Sequence, residues 1–181
     1  SYLVREFSRH VEDVTAQTPW GEAVAVEKTD KACWVAQAPT EGLDLHYEVY
    51  AHDLTVRTSH LDASHGFFNG GNVFFRVDGH EQGPFRLEVD VPEGWISSAA
   101  LPRGTDGAYT VANFDELVDS LGRLCWGHNR SDICSNNPSL SPPSVRGLIH
   151  TLRALRRVRK RLSWLVMVVD LVWRHCRLLE E

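Results

Sequence analysis

The side chains here best suited to chemistry are nine histidines and four cysteines. His80 and Glu81 open the string HEQGP, which begins like the zinc-binding pattern H-E-x-x-H. That pattern works because a helix sets two histidines one turn apart on one face, with the glutamate placed as a base. Here the fourth residue is Gly83 and the fifth Pro84, with Asp78-Gly79 just upstream. Glycine beside proline breaks a helix and favours a turn, so His80 is expected in an exposed hairpin connection. His46, His52, His60 and His65 lie close in sequence. His46 and His52 share a strand face but are separated by roughly 20 Å at strand rise, too far for one ion. A catalytic zinc needs three protein ligands and an open position. No such set is read from the sequence, so the expectation is no catalytic residue, no metal ligand and no cofactor in this chain.

Cys33, Cys125, Cys134 and Cys176 are too few and too scattered for a disulfide scaffold. The spacing of Cys125 and Cys134 fits no common zinc motif, and free thiols are expected. Asn129 opens an N-R-S sequon, a three-residue match that chance produces often.

The elements that must position these residues read mostly as strands. In LDLHYEVYAH, Leu43, Leu45, Tyr47, Val49 and Ala51 alternate with Asp44, His46, Glu48, Tyr50 and His52. That period of two describes a strand with one dry and one wet face. PFRLEVDVP repeats it, with Phe85, Leu87, Val89 and Val91 on one side and Arg86, Glu88 and Asp90 on the other. Val73, Phe75 and Val77 suggest a third strand, EAVAVEK and KACWVAQ shorter ones. Turn signals at Pro19-Trp20-Gly21, Glu41-Gly42, Asn69-Gly70-Gly71, Asp78-Gly79 and Pro102-Arg103-Gly104 separate these runs. The expected fold is mainly β, an antiparallel β-sandwich. One short helix is expected in NFDELVDSL, where Asn113 is a cap and Glu116 stands at the capping-box position.

Charge changes sharply along the chain. Up to Ser120, 8 Lys and Arg stand against 20 Asp and Glu; beyond it, 11 stand against 4. All seven Phe and all four Tyr precede that point. The sequence therefore divides into a domain over 1–120 and a basic tail over 121–181. The tail contains a Ser/Asn/Pro linker at 135–144 and apolar residues at three- and four-residue steps that predict a helix over 145–179. The tail is expected to be α-helical or disordered. Three readings stand for it: a sequence that is not the natural continuation, such as a reading-frame change; a helix packed on the sandwich; or a basic helix for a membrane or nucleic acid. Neither nucleic acid nor a membrane is the expected partner. No basic stretch leading into an apolar run opens the chain, which favours the cytoplasm. A first residue that is serine, in what reads as mid-strand, suggests an interior fragment.

Several irregular strings carry a resemblance, in order: SYLVREFSRHVEDVTA at 1–16, KTDKACWVA at 28–36, LHYEVYAHDLTVRTSHLD at 45–62, HGFFNG at 65–70, VPEGW at 91–95 and FDELVDS at 114–120. Together they resemble the N-terminal domain of the glycyl aminopeptidases, zinc metallopeptidases with a thermolysin-like catalytic domain and a PDZ-like domain. The resemblance stops near residue 120. It implies a β-sandwich that supports a catalytic domain and walls one side of a peptide cleft. Zinc and the general base would belong to that catalytic domain, since no H-E-x-x-H occurs here. Partners so implied are the catalytic domain and a peptide substrate.

On this reading Arg5, Glu6, His65, Phe67, Phe68 and Asn69 are candidates for the cleft or domain interface. Phe67 and Phe68 would sit at the cleft edge and Asn69 would offer amide contacts. A plainer reading packs one Phe in the core and the other on a neighbour, with Asn69-Gly70 in a positive-φ turn. Arg5 and Glu6 read equally as surface charges on an edge strand. A rival function is a free-standing β-sandwich module that binds protein or carbohydrate, with a basic amphipathic helix.

Overall fold

The computed structural model describes residues 6–37, 42–53, 55, 57–62, 65–91, 94–126, 151–159 and 165–171. A 3-10 turn, Phe7–His10, leads into β1 (Val11–Gln17), β2 (Ala23–Val24), β3 (Val26–Asp30), β4 (Cys33–Ala36) and β5 (Gly42–Tyr50). Then come β6 (His60–Leu61), β7 (His65–Asn69), the short helix α1 (Gly70–Val73), β8 (Gln82–Asp90), β9 (Trp95–Ala99) and β10 (Tyr109–Asn113). Helix α2 (Phe114–Asp119), β11 (Leu121–Trp126), β12 (Thr151–Arg159) and β13 (Leu165–Leu171) complete the order. The larger sheet runs β10-β8-β13-β12-β5-β1-β2 and the smaller runs β6-β7-β11-β9. Strands β3 and β4 form a separate hairpin. Pairing is antiparallel except between β13 and β8. No described helix is long and apolar enough to cross a membrane.

The two sheets share one core. Leu45, Tyr47 and Val49 of β5, Phe85 and Leu87 of β8, and Tyr109 and Val111 of β10 meet Leu61, Phe68 and Trp95 of the smaller sheet. Residues two apart on a strand face the same way, so the predicted apolar sets of β5 and β8 land inside together. Phenols buried this deep need an acceptor. Tyr47 Oη donates to the Val73 carbonyl at 2.8 Å, and Tyr109 Oη to the Ser97 carbonyl at 3.3 Å. The second bond links the two sheets directly. The β3–β4 hairpin is tethered by an aromatic chain: Trp34 lies edge-on to Phe75 at 4.9 Å, and Phe75 edge-on to Tyr47 at 4.6 Å. Lys28 covers the Trp34 ring at 4.6 Å.

Several expectations need correction. Residues 73–77 are not a strand: α1 ends at Val73 and an irregular stretch follows. Val73 and Phe74 are both buried, filling the core between the sheets rather than pairing along an edge. The turn at Asp78-Gly79 is present, with Gly79 at φ 78° and the His80 N–H donating to the Val77 carbonyl at 3.0 Å. His80 is exposed, as expected, but the turn leads from the irregular stretch into β8 instead of joining two strands. The polar face of β5 is wet only in part: Tyr50 and, just past the strand, His52 are exposed, but Asp44 and Glu48 are buried. Strand β5 lies inside the sheet between β1 and β12, and its register sets Arg157 across from Asp44 and Arg153 across from Glu48.

The largest correction concerns the tail. In place of a helix over 145–179, residues 151–159 and 165–171 are strands placed between β5 and β8. Nine-residue strands such as β5 and β8 expose rows of N–H and C=O groups that require partners. The β-branched run around Val166, Val168 and Val169 suits a strand better than a helix. Strand β11 likewise pairs with both β7 and β9, so strand pairing continues past residue 120. The linker at 135–144 and the sequon at Asn129 lie outside the described residues.

Helix α2 matches its sequence signal. Asn113 Oδ1 accepts from the Glu116 N–H at 2.9 Å, as an N-cap should. Glu116 Oε2 accepts from the Ala112 N–H at 2.7 Å, one residue earlier than the reciprocal bond of a capping box. On the exposed side of β8, the Arg86 guanidinium donates at 2.6 Å to both Glu88 and Asp106. The hydrogen bond from Arg86, aided by the Ala108 N–H, holds the Asp106 carboxyl below the ordinary 3.8.

Two predictions follow from these bonds. Tyr47→Phe strands the Val73 carbonyl and should lower stability by about 1–3 kcal/mol in urea titrations; an unchanged midpoint would show that the bond contributes nothing. Because the Asp106 carboxyl is depressed on folding, its contribution is present above pH 3.8 and disappears as pH falls through the lower folded value. Asp106→Asn should therefore lower stability slightly at pH 6 and flatten its dependence on pH below about 4, read as Tm against pH by circular dichroism.

Candidate functional site

Of the expected site residues, His65, Phe67, Phe68 and Asn69 lie on β7 of the β6–β7 hairpin. Asp62 makes the bend: its N–H donates to the His65 carbonyl and its Oδ1 accepts the His65 N–H, both at 2.9 Å. The register sets His60 opposite Phe67 and Leu61 opposite Gly66. On the other side the Leu61 N–H donates to the Ala51 carbonyl at 2.8 Å, and His60 bridges to His52. Ala51 and Leu61 point into the core. Burying Leu61 and holding Asp62 at the bend thus decides where the imidazoles point.

His60 is the centre of this group. Its side chain is only 3% exposed, against 47% for His65 and 31% for Asp62. The His60 ring stacks on His52 at 5.4 Å and lies 5.3 Å from His65 and 6.0 Å from Phe67. His60 Nε2 is 3.2 Å from Asp62 Oδ2, and His65 Nδ1 is 3.2 Å from Asp62 Oδ1. One carboxylate therefore sits between two imidazoles. His60 Nδ1 is buried with no hydrogen-bond partner. A nucleophilic triad would need a hydroxyl or thiol on that second nitrogen, and among the described residues none pairs with it.

Phe67 and Phe68 face opposite ways, as adjacent strand residues must. Phe68 is buried in the core, edge-on to Phe74 at 6.0 Å. Gly122 of β11 is its register partner, and a Cβ there would collide with the Phe68 ring. Phe67 is half-buried and faces the imidazoles. Asn69 does not enter a positive-φ turn. It is extended and caps α1, its Oδ1 accepting the Gly71 N–H at 3.1 Å. Gly70 is needed for close approach: its N–H donates to the Ser120 carbonyl at 3.2 Å, and a Cβ would meet the backbone of Leu117 and Val118. Of the remaining candidates, exposed Glu6 pairs with Lys31 at 3.1 Å, an ordinary surface contact, and Arg5 lies outside the described residues. Cys33 is an exposed free thiol.

Strand spacing along β5 therefore hid the convergent set found among the described residues. His60, Asp62 and His65 each offer a ligand atom, and these lie within 4.8 Å of one another. The string HLDASH held the signal, since a tight bend at Asp62 folds the second histidine back on the first.

These features occur within a stretch of established kind. The family model of the Peptidase M61 N-terminal domain matches residues 1–120. The chain belongs to that family. A solved structure, the aminopeptidase N family protein from Idiomarina loihiensis, is similar at 30% identity and a TM-score of 0.65. The match covers 69% of this chain and 22% of that one, so the M61 domain here spans about a fifth of that protein's length. No curated protein matches the chain. A peptidase relationship and an antiparallel, mainly β domain thus agree with the resemblance drawn from the short strings.

The close approach at Gly70 yields a prediction. Gly70→Ala would force α1 away from α2, because the Cβ would lie 2.9 Å from Val118 Cα. Overpacking of this kind costs about 1–3 kcal/mol. Urea denaturation should show that loss, and a wild-type midpoint would mean that the two helices separate freely.

Proposed function

We propose that this M61 domain is a non-catalytic support for a glycyl-aminopeptidase-like zinc metallopeptidase, bracing the catalytic domain and forming one wall of its peptide cleft. The observation that carries this reading is the family match over 1–120 in a chain with no H-E-x-x-H. The residues present do not fit the peptidase zinc: no two histidines in the sequence stand four apart with a glutamate between them. No hydrolytic step is therefore assigned to this chain. The half-buried Phe67, next to the exposed His65, is the part of the HGFFNG string available to a neighbouring domain or peptide. Phe68, in contrast, belongs to the core. The rival of a free-standing module with a basic helix loses its second half, since residues 151–159 and 165–171 are strands.

The test uses the purified 181-residue chain and a separately expressed M61 catalytic domain. The chain alone, with Zn2+ added, should not hydrolyse a glycyl-anilide substrate. It should co-elute with the catalytic domain in size-exclusion chromatography, and Phe67→Ala should weaken that association by about tenfold, as loss of an aromatic contact at an interface does. Hydrolysis by the chain alone, or no association, overturns the reading.

A further inference from the structure

The geometry points to a structural divalent-metal site formed by His60 Nε2, the Asp62 carboxylate and His65 Nδ1, with Zn2+ as the best-matched ion. This revises the expectation that the chain holds no metal, and it stands independently of the peptidase reading. Two imidazoles and one carboxylate are a donor set that suits zinc. At Zn–ligand bonds of 2.0–2.1 Å, neighbouring donors of a tetrahedral site lie about 3.3 Å apart. His60 Nε2 is 3.2 Å from Asp62 Oδ2 and His65 Nδ1 is 3.2 Å from Asp62 Oδ1, so each nitrogen stands at that spacing from one oxygen of the carboxylate. The remaining histidine–histidine separation is within 4.8 Å, and the half-exposed His65 ring can rotate to close it.

Burial adds to the fit. The His60 side chain is almost wholly buried, so a ligand nitrogen on it is held in place by the fold and shielded from competing water. Solvent reaches the group through His65 and Asp62, which gives an ion a route in and leaves a fourth position for water. The bound ion would staple the β6–β7 hairpin and so fix Phe67, whose ring lies against His60.

The experiment titrates the chelator-stripped 181-residue chain with Zn2+ by calorimetry and with Co2+ by visible absorption. The expected result is one ion per chain and tetrahedral cobalt bands, both lost or weakened at least about tenfold in His65→Ala and in Asp62→Asn. His80→Ala, exposed and outside the group, should bind like wild type. Circular dichroism in chelator checks that the variants fold, and His65→Ala alters a half-exposed residue that leaves the core intact. Absence of stoichiometric Zn2+ binding, or equal binding by both variants and wild type, overturns the proposal and leaves a hydrogen-bonded cluster.

Discussion

The interior shared by the two sheets is the constraint from which the other features take their positions. Tyr47, Phe85, Leu87 and Tyr109 from one sheet close against Phe68 and Trp95 from the other. Aromatic residues of this size contribute most of a core's apolar burial. Two of them also carry hydroxyls, satisfied by the carbonyls of Val73 and Ser97. The smaller sheet is therefore held to the larger by directional bonds as well as by area. Phe68 shows how strict this is, since its ring takes the space where any side chain at position 122 would begin. With Phe68 turned inward, Phe67 must turn outward. The histidine group outside the core thus inherits its geometry from packing inside it.

That dependence explains which parts were legible in the residues alone. Alternation along β5 and β8 was readable because each has one face in the core, and a period of two survives wherever burial is one-sided. The α2 cap was readable because Asn113 and Glu116 act on backbone groups three or four residues away. Local chemistry needs no knowledge of the rest of the chain. Residues 73–77 misled because Val73 and Phe74 are both buried, a pattern set by what surrounds them rather than by strand pairing. The polar side of β5 misled only at Asp44 and Glu48, which are buried in a strand flanked by β1 and β12, whereas Tyr50 at its end is exposed.

The candidate site was legible in part. Adjacent phenylalanines had to diverge, and they do. The histidines were judged by their spacing along one extended strand, which separates His46 from His52. Their grouping depends instead on a bend two residues after His60, a feature of the hairpin and not of any strand. Asp62 was overlooked because its role is conformational first: it closes the turn through the His65 N–H. Only then does its carboxylate lie between the rings.

The placement of β12 and β13 carries a consequence for how the molecule is made. The middle of the larger sheet comes from segments synthesised after the strands on either side of it, and β5 contacts a strand about a hundred residues later. Contacts so distant along the chain are slow to form, because closing the loop costs entropy before any contact compensates for it. During translation β1 and β5 can pair early, but β8 waits for a neighbour that has not yet left the ribosome. Its unpaired edge is open to other chains in the meantime. Chaperone occupancy of that nascent intermediate, more than the strength of the finished interior, would then decide how much protein reaches the native state.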